Sequence, residues 1–271
     1  MTSGPARSPA IQTRALSRTY GALAAVQELT FEVEHGAIFG LLGPNGAGKS
    51  TTIKMLTTLL PPSSGAAVVA GYDIVRQPAD VRRRIGYVPQ LVSADGGLTG
   101  RENLALSAKL YRVPRAERGQ RIREALAFMD LETVANHLVR TYSGGMIRRL
   151  ELAQAMLHEP DVLFLDEPTI GLDPVARRAV WERLLELRRG SGMTMLLTTH
   201  DMEEADALCD RLAILHQGAL AVAGRPADLK AALGENATLE DVFIRAVGGS
   251  IEEGGTYRDV RRLRSTVRRL G

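Results

Sequence analysis

Apolar and polar residues alternate through AIQTRALSRTY (residues 10–20) and again through LTFEVEHG (29–36), the period-two pattern of strands with one buried face. The next run, AIFGLLG (37–43), is almost continuously apolar. It predicts a short strand covered on both faces, as in a parallel sheet. That strand passes directly into a glycine-rich turn, and GPNGAGKSTTIKMLTTLL reads as the turn closing into a helix that PPSSG ends with two prolines and a glycine. From about residue 91 to 159 the alternation disappears, and stretches such as RAERGQRIREALAFMDLETVANHL carry a charged, amphipathic helical pattern. Apolar strands return in DVLFLDEP and MTMLLTTH, separated by the helical VARRAVWERLLELRR, and DRLAILHQGALAVAG predicts a further strand pair. Strand and helix alternating around a helical insert predict an α/β fold. GGSIEEGG (248–255) has the composition of a flexible spacer, so the domain boundary is placed there, with 1–247 as one domain and 248–271 as spacer and tail.

With 271 residues, 45% of them hydrophobic, the chain can bury a substantial core, which excludes general disorder. No run approaches the roughly 18 consecutive apolar residues of a membrane span. The N-terminal MTSGPARSPAIQTRALS lacks the apolar region of a secretory signal, so a cytoplasmic location is expected. Cys209 is the sole cysteine and reads as a small buried apolar residue. The net charge of +3 lies entirely in residues 251–271, where six arginines face Glu252, Glu253 and Asp259.

The strongest chemical pattern is Gly43-Pro44-Asn45-Gly46-Ala47-Gly48-Lys49-Ser50, followed by Thr51, which fits the P-loop spacing G-x-x-x-x-G-K-[ST] between a predicted strand and helix. Glycines there let the backbone wrap phosphate oxygens, and successive N–H groups donate to them at a helix N-terminus. Lys49 is expected to reach the β and γ phosphates of ATP, and Ser50 to bind Mg²⁺. In VLFLDEP, apolar residues lead into Asp166 and Glu167 at a strand end. Alone, two such carboxylates read as a solvated turn; downstream of a P-loop, Asp166 is suited to hold Mg²⁺ and Glu167 to orient the attacking water.

Tyr142-Ser143-Gly144-Gly145-Met146, a short helix before VLFLDEP, completes a set that resembles the ABC ATPase family over nearly the whole chain to about Val247. A Ser-Gly-Gly at a helix start offers a hydroxyl and backbone donors to phosphate, although as a bare sequence it equally fits a turn. The resemblance implies a P-loop ATPase core with a RecA-like sheet, an antiparallel β subdomain and an inserted helical subdomain at about 91–159. It implies ATP hydrolysis by a homodimer in which Ser143, Gly144 and Gly145 of one copy close over ATP on the other. Tyr142 and Met146 stand where the commonest family pattern has Leu and Gln.

The resemblance also assigns Gln90 in YVPQ as a ligand of Mg²⁺ or of the attacking water, near where transmembrane partners dock. Gly171-Leu172-Asp173 is similar to the loop that crosses the dimer interface, while Asp173 also reads as a helix N-cap before Pro174. His200 after MTMLLTTH is similar to the switch histidine that senses the γ phosphate. Tyr20 in SRTYG resembles the aromatic that stacks on adenine, a position that a core-packing tyrosine would also fit.

LTGREN and ATLEDVFIRAVGG resemble ATP-binding subunits of bacterial multidrug and antibiotic exporters, most closely the daunorubicin/doxorubicin resistance type. This implies a separate transmembrane permease as partner, a place at the cytoplasmic face of the membrane, and no nucleic acid. Related subunits exporting lipid, polysaccharide or sodium are the alternative cargo classes; a soluble non-transport ABC ATPase is the alternative function. In YRDVRRLRSTVRRLG, Val260, Leu263, Val267 and Leu270 recur at helical spacing among arginines, which reads either as a helix for an anionic leaflet or partner, or as a solvated end.

Overall fold

The computed structural model describes residues 8–248. The predicted spacer and basic tail lie outside the described residues, apart from Gly248 at the end of the last helix. The chain runs β1 (Ile11–Tyr20), β2 (Leu23–Leu29), β3 (Glu32–Val33), β4 (Ile38–Leu42), α1 (Lys49–Leu56), β5 (Ser64–Val69), β6 (Tyr72–Asp73), α2 (Pro78–Arg84) and β7 (Ile85–Val88). Three helices follow, α3 (Gly100–Leu110), α4 (Arg115–Phe128) and α5 (Gly144–Met156), then β8 (Val162–Asp166), α6 (Pro174–Ser191), β9 (Thr194–Thr199) and α7 (Met202–Leu208). The described chain closes with β10 (Arg211–His216), β11 (Ala219–Gly224), α8 (Pro226–Ala231) and α9 (Leu239–Gly248).

Two sheets form. The larger has the order β11-β10-β4-β9-β8-β7, parallel except for the antiparallel β10–β11 hairpin. Every residue of β4, β8 and β9 is buried, which is why their sequences show no alternation. Their side chains still divide between faces. Phe39, Leu41, Val162, Phe164 and Leu196 pack with α1 and the antiparallel strands, whereas Ile38, Leu163, Leu165, Met195 and Leu197 pack with the helices from α3 to α6.

The smaller sheet, β2-β1-β5-β6 with β3 on β1, is antiparallel. Its pairing differs from the two alternating runs of the sequence. LTFEVEHG contributes only Glu32 and Val33 to β3, and the main partners of β1 are β2 and β5. Gly21, at φ +58°, turns the chain back at once, so residues 23–29 reach β1 before 29–36 can. Helix α1 also ends earlier than its pattern suggests. The Thr57 hydroxyl donates to the Ile53 carbonyl at 2.8 Å and Thr58 takes a left-handed conformation, so the helix stops before the prolines.

Candidate active site

Register brings the chemistry together. In the parallel sheet Leu42 pairs with Thr199 and Asp166 with Thr198, so the C-terminal ends of β4, β8 and β9 lie side by side, the edge where open α/β sheets present their sites. The turn after β4 begins α1, residues 43–50 continue to Thr51 in its first turn, and Gly48 is the helix N-cap with φ +97°. A Cβ at Gly48 would lie 2.5 Å from the Ala25 carbonyl oxygen, so only glycine satisfies both the dihedral and the close strand. Pro44, Asn45 and Gly46 are exposed, whereas Gly43 and Ala47 are buried. The loop is tied down by Gly43 N donating to the Thr199 carbonyl (3.3 Å) and Gly218 N donating to that of Ala47 (3.2 Å).

Lys49 is almost fully buried at 4% exposure, and its ammonium donates to the carbonyls of Gly43 (2.7 Å) and Pro44 (3.2 Å) while lying 3.2 Å from Glu167 Oε1. Glu167, 5% exposed, is met on its other oxygen by His200 Nδ1 at 2.7 Å. The three side chains thus form one chain of contacts, Lys49 to Glu167 to His200. Glu167 itself sits at φ +51°, a left-handed conformation uncommon for a non-glycine residue. Ser50 Oγ donates to Asp166 Oδ1 at 2.9 Å, placing two hard oxygen donors at the mouth of the loop.

Thr198 organises the carboxylates, and sequence reasoning missed it. Its hydroxyl donates to Asp166 Oδ1 at 2.6 Å and accepts from the Glu167 backbone N–H at 3.0 Å. The signal available was a Thr-Thr pair ending an otherwise apolar buried strand. Glu204 on α7 was also missed. It is buried, accepts from Thr169 Oγ1 and from Trp181 Nε1 (3.1 Å), and burial raises its carboxyl above the usual range against those hydrogen bonds. Tyr87 on β7 is pushed up to about 12 by burial and by the Asp166 charge.

The Ser-Gly-Gly turn forms a second group. Ser143 N-caps α5 by accepting from Met146 N (3.3 Å), and Ser143 and Gly144 are exposed. Gly145 is buried where a Cβ would come within 2.8 Å of Ala176 Cβ, and a Cβ at Gly144 would touch Leu172, so this turn packs against 171–176. Asp173 N-caps α6, its Oδ1 accepting from Val175 N and Ala176 N at 2.9 Å. Among the described residues no hydrogen bond or ion pair joins residues 143–145 to the loop at 43–50. Tyr142 is buried with its hydroxyl donating to the Val134 carbonyl at 2.7 Å, so this one of the two residues that depart from the family pattern is a structural anchor of the turn.

Gln90 is exposed just beyond β7, its carbonyl accepting from Arg148 Nη2 at 3.2 Å. Tyr20, 45% exposed, ends β1 with the Arg18 guanidinium 4.9 Å from its ring centroid. Cys209 is buried, and burial pushes its thiol up, as fits an inert core residue.

Comparison with known proteins agrees with this geometry. The ABC transporter family matches residues 26–170. The daunorubicin/doxorubicin resistance ATP-binding protein DrrA of Streptomyces peucetius is 44% identical over 87% of this chain and 71% of its own length. The linearmycin resistance ATP-binding protein LnrL of Bacillus subtilis is 39% identical over 85% of this chain and 74% of its own. A dimeric ATP-binding cassette in a post-hydrolysis state, bound to ADP and Pi, superimposes with a TM-score of 0.71 and 26% identity, over 79% of this chain and 98% of that one. The daunorubicin/doxorubicin resemblance read from LTGREN (98–103) and ATLEDVFIRAVGG (237–249) is thereby confirmed. A P-loop on a parallel sheet, a carboxylate pair at the adjoining strand ends and a match across most of the chain lead to one assignment: the chain belongs to the ABC transporter family as an ATP-binding subunit, an ATPase.

Proposed function

We propose that this chain is the motor of a membrane exporter of drugs or antibiotics, hydrolysing ATP between two copies of itself. The observation that carries the reading is the contact chain Lys49–Glu167–His200 beside Ser50–Asp166. Backbone N–H groups between Asn45 and Thr51, together with the Lys49 ammonium, take the phosphates, and Tyr20 stacks on adenine. Phosphate oxygens offer Lys49 an anionic partner where the carbonyls of Gly43 and Pro44 are neutral, and compete with Glu167 for the ammonium, leaving that carboxylate for water. Glu167 accepts the proton of the attacking water as its oxygen bonds to the γ phosphorus and the bond to the bridging oxygen breaks, leaving ADP and phosphate. His200, held on Glu167, keeps the carboxylate oriented and faces the γ phosphate.

Ser50 and Asp166 are oxygen donors suited to Mg²⁺, with Gln90 as a further donor. Among the described residues no cluster of three or more His, Cys, Asp or Glu side chains could hold a metal alone, which suits an ion that keeps waters and phosphate oxygens as ligands. Bound there, Mg²⁺ supplies positive charge against the phosphates.

Ser143, Gly144 and Gly145, exposed or at the start of a helix and apart from the same chain's P-loop, suit contact with ATP on a second copy, with Asp173 at the joint. Residues 1–247 are the ATPase unit, and 248–271 its spacer and basic tail. Among the described residues no helix is long and apolar enough to cross a membrane. Likeness to exporter ATP-binding proteins supports a separate permease as partner, with this chain peripheral on the cytoplasmic face. Resistance to daunorubicin and doxorubicin, or to linearmycin, named for the two relatives, points to drugs or antibiotics as cargo.

Glu167→Gln tests the chemistry. It should lower turnover by about 10²–10⁴-fold, the usual contribution of a positioned base, while retaining ATP binding and accumulating a closed dimer. Turnover within about threefold of the parent would remove Glu167 from the mechanism. Co-purification of the tagged chain from solubilised membranes with a stoichiometric polytopic protein tests the transport role; ribosomal or nucleic-acid partners would point to a soluble ABC ATPase instead.

A further inference from the structure

Helix α5 does more than carry the Ser-Gly-Gly turn. One turn into it, Arg148 is 5% exposed and Glu151 2%, and they form an ion pair at 3.0 Å. Neither touches the P-loop or the 166–167 carboxylates by a hydrogen bond. Their other side-chain hydrogen bonds go to a single five-residue stretch after β7. Arg148 Nη1 donates to the Pro89 carbonyl at 2.8 Å and Nη2 to that of Gln90 at 3.2 Å. Glu151 Oε1 accepts from Ser93 N–H and from Ser93 Oγ at 2.9 Å. Between these anchors stand Leu91 and Val92, 82% and 61% exposed.

A buried charge pair is retained at a desolvation cost, and an apolar pair of similar volume would fill the same space without it. What apolar side chains cannot do is hold two carbonyls on one side and an N–H with a hydroxyl on the other. Arginine's planar fork does the first and a carboxylate the second. The pair therefore fastens both ends of residues 89–93 to the helix whose N-cap is Ser143. We propose that Arg148 and Glu151 are positioning residues that lock the Gln90 segment and the Ser-Gly-Gly turn into one rigid unit, so that the two nucleotide-facing elements move together when the dimer closes. This rests on the reading above that Gln90 and residues 143–145 face ATP.

The test uses the full chain in the Glu167→Gln background, with ATP-dependent dimerisation followed by light scattering. Arg148→Met/Glu151→Gln removes both charges at once, so that neither is left buried alone. The expected result is a roughly tenfold rise in the ATP concentration needed for half-dimerisation, within the range of about 5- to 150-fold typical of coupling between sites. Affinity of the monomer for ADP, which needs only the P-loop of one chain, should change less than about twofold. Amide exchange at Ser93 should accelerate. Arg148→Lys keeps the charge but not the fork, and should give an intermediate shift; it also serves if the double variant does not fold. A merely structural role would lower melting temperature and leave the ATP dependence of dimerisation tracking ADP affinity, which would overturn the proposal, as would unchanged dimerisation. If the Glu167→Gln parent itself does not dimerise with ATP, the reading under which Gln90 and residues 143–145 act fails, and this proposal with it.

Discussion

Three glycines of the phosphate loop allow its two constraints, dihedral and contact, to be separated. Gly46 has φ +83° with nothing within 4 Å of an ideal Cβ, so Gly46→Ala meets only the left-handed penalty. Gly48 has φ +97° and the Ala25 carbonyl 2.5 Å from its ideal Cβ, so Gly48→Ala meets that penalty and a clash. Gly43 has the clash alone, 2.5 Å from the Leu215 carbonyl oxygen. The left-handed conformation costs an alanine about 1–2 kcal/mol. Relieving an overpacked contact costs about 1–3 kcal/mol more, because strand β2 and the loop are both fixed by neighbours. Gly46→Ala should therefore lose about 1–2 kcal/mol and Gly48→Ala about 2–5 kcal/mol. At roughly 2–4 °C per kcal/mol for a domain of this size, the melting point falls by about 2–8 °C and about 4–20 °C respectively. Differential scanning calorimetry of the nucleotide-free protein is the assay, since it excludes effects of the added methyl on ATP. If Gly48→Ala were no more destabilising than Gly46→Ala, the close approach of β2 to the loop would not be what demands glycine there.

Three further outcomes follow from particular contacts. Thr198→Val removes the hydroxyl shared by Asp166 and the Glu167 N–H; it should cost about 1–3 kcal/mol in a denaturant melt and lower kcat more than it alters nucleotide affinity, whereas a change confined to stability would make Thr198 a packing residue only. Tyr142→Phe removes one of two hydrogen bonds to the Val134 carbonyl, which keeps the His137 N–H, and should cost about 0.5–1.5 kcal/mol, measured the same way, with ATP turnover affected less than stability. His158 is stacked on Tyr111 at 3.9 Å, with Nε2 against the Ile85 carbonyl, and burial holds its imidazole below the usual range. The unfolded chain then binds more protons than the folded one below about pH 6.5, so stability is full above that pH and is lost as pH falls through it. His158→Gln should flatten this slope in urea melts from pH 7 down to about 5, and an unchanged slope would remove His158 as its source.

The phosphate loop, the carboxylate pair and the buried strands on either side were legible because each is written in consecutive residues. A glycine spacing, an apolar run ending in Asp-Glu and a switch from alternation to continuity all fall within windows of a few residues, and the backbone of a strand or a tight turn responds to those alone. Asp173 shows that even double readings can be local, since an Asp before Pro174 is enough to cap α6. The pairing of β1 was not legible, because LAAVQEL (23–29) lacks the alternation that 29–36 carries, and only the turn at Gly21 brings it onto β1 first.

Tertiary structure alone decided what lies between distant segments. Thr198 meets Asp166 across 32 residues, Arg148 and Glu151 meet 89–93 across about 58, and Trp181 of α6 and Thr169 of the turn before it meet Glu204 on α7. Those contacts depend on strand order and register, β4 between β10 and β9 and Asp166 opposite Thr198, which no local periodicity encodes. Sequence by itself determined which residue types stand at each strand end; the sheet determined which ends stand together, because hydrogen-bonded register, not proximity along the chain, sets the distances between their side chains.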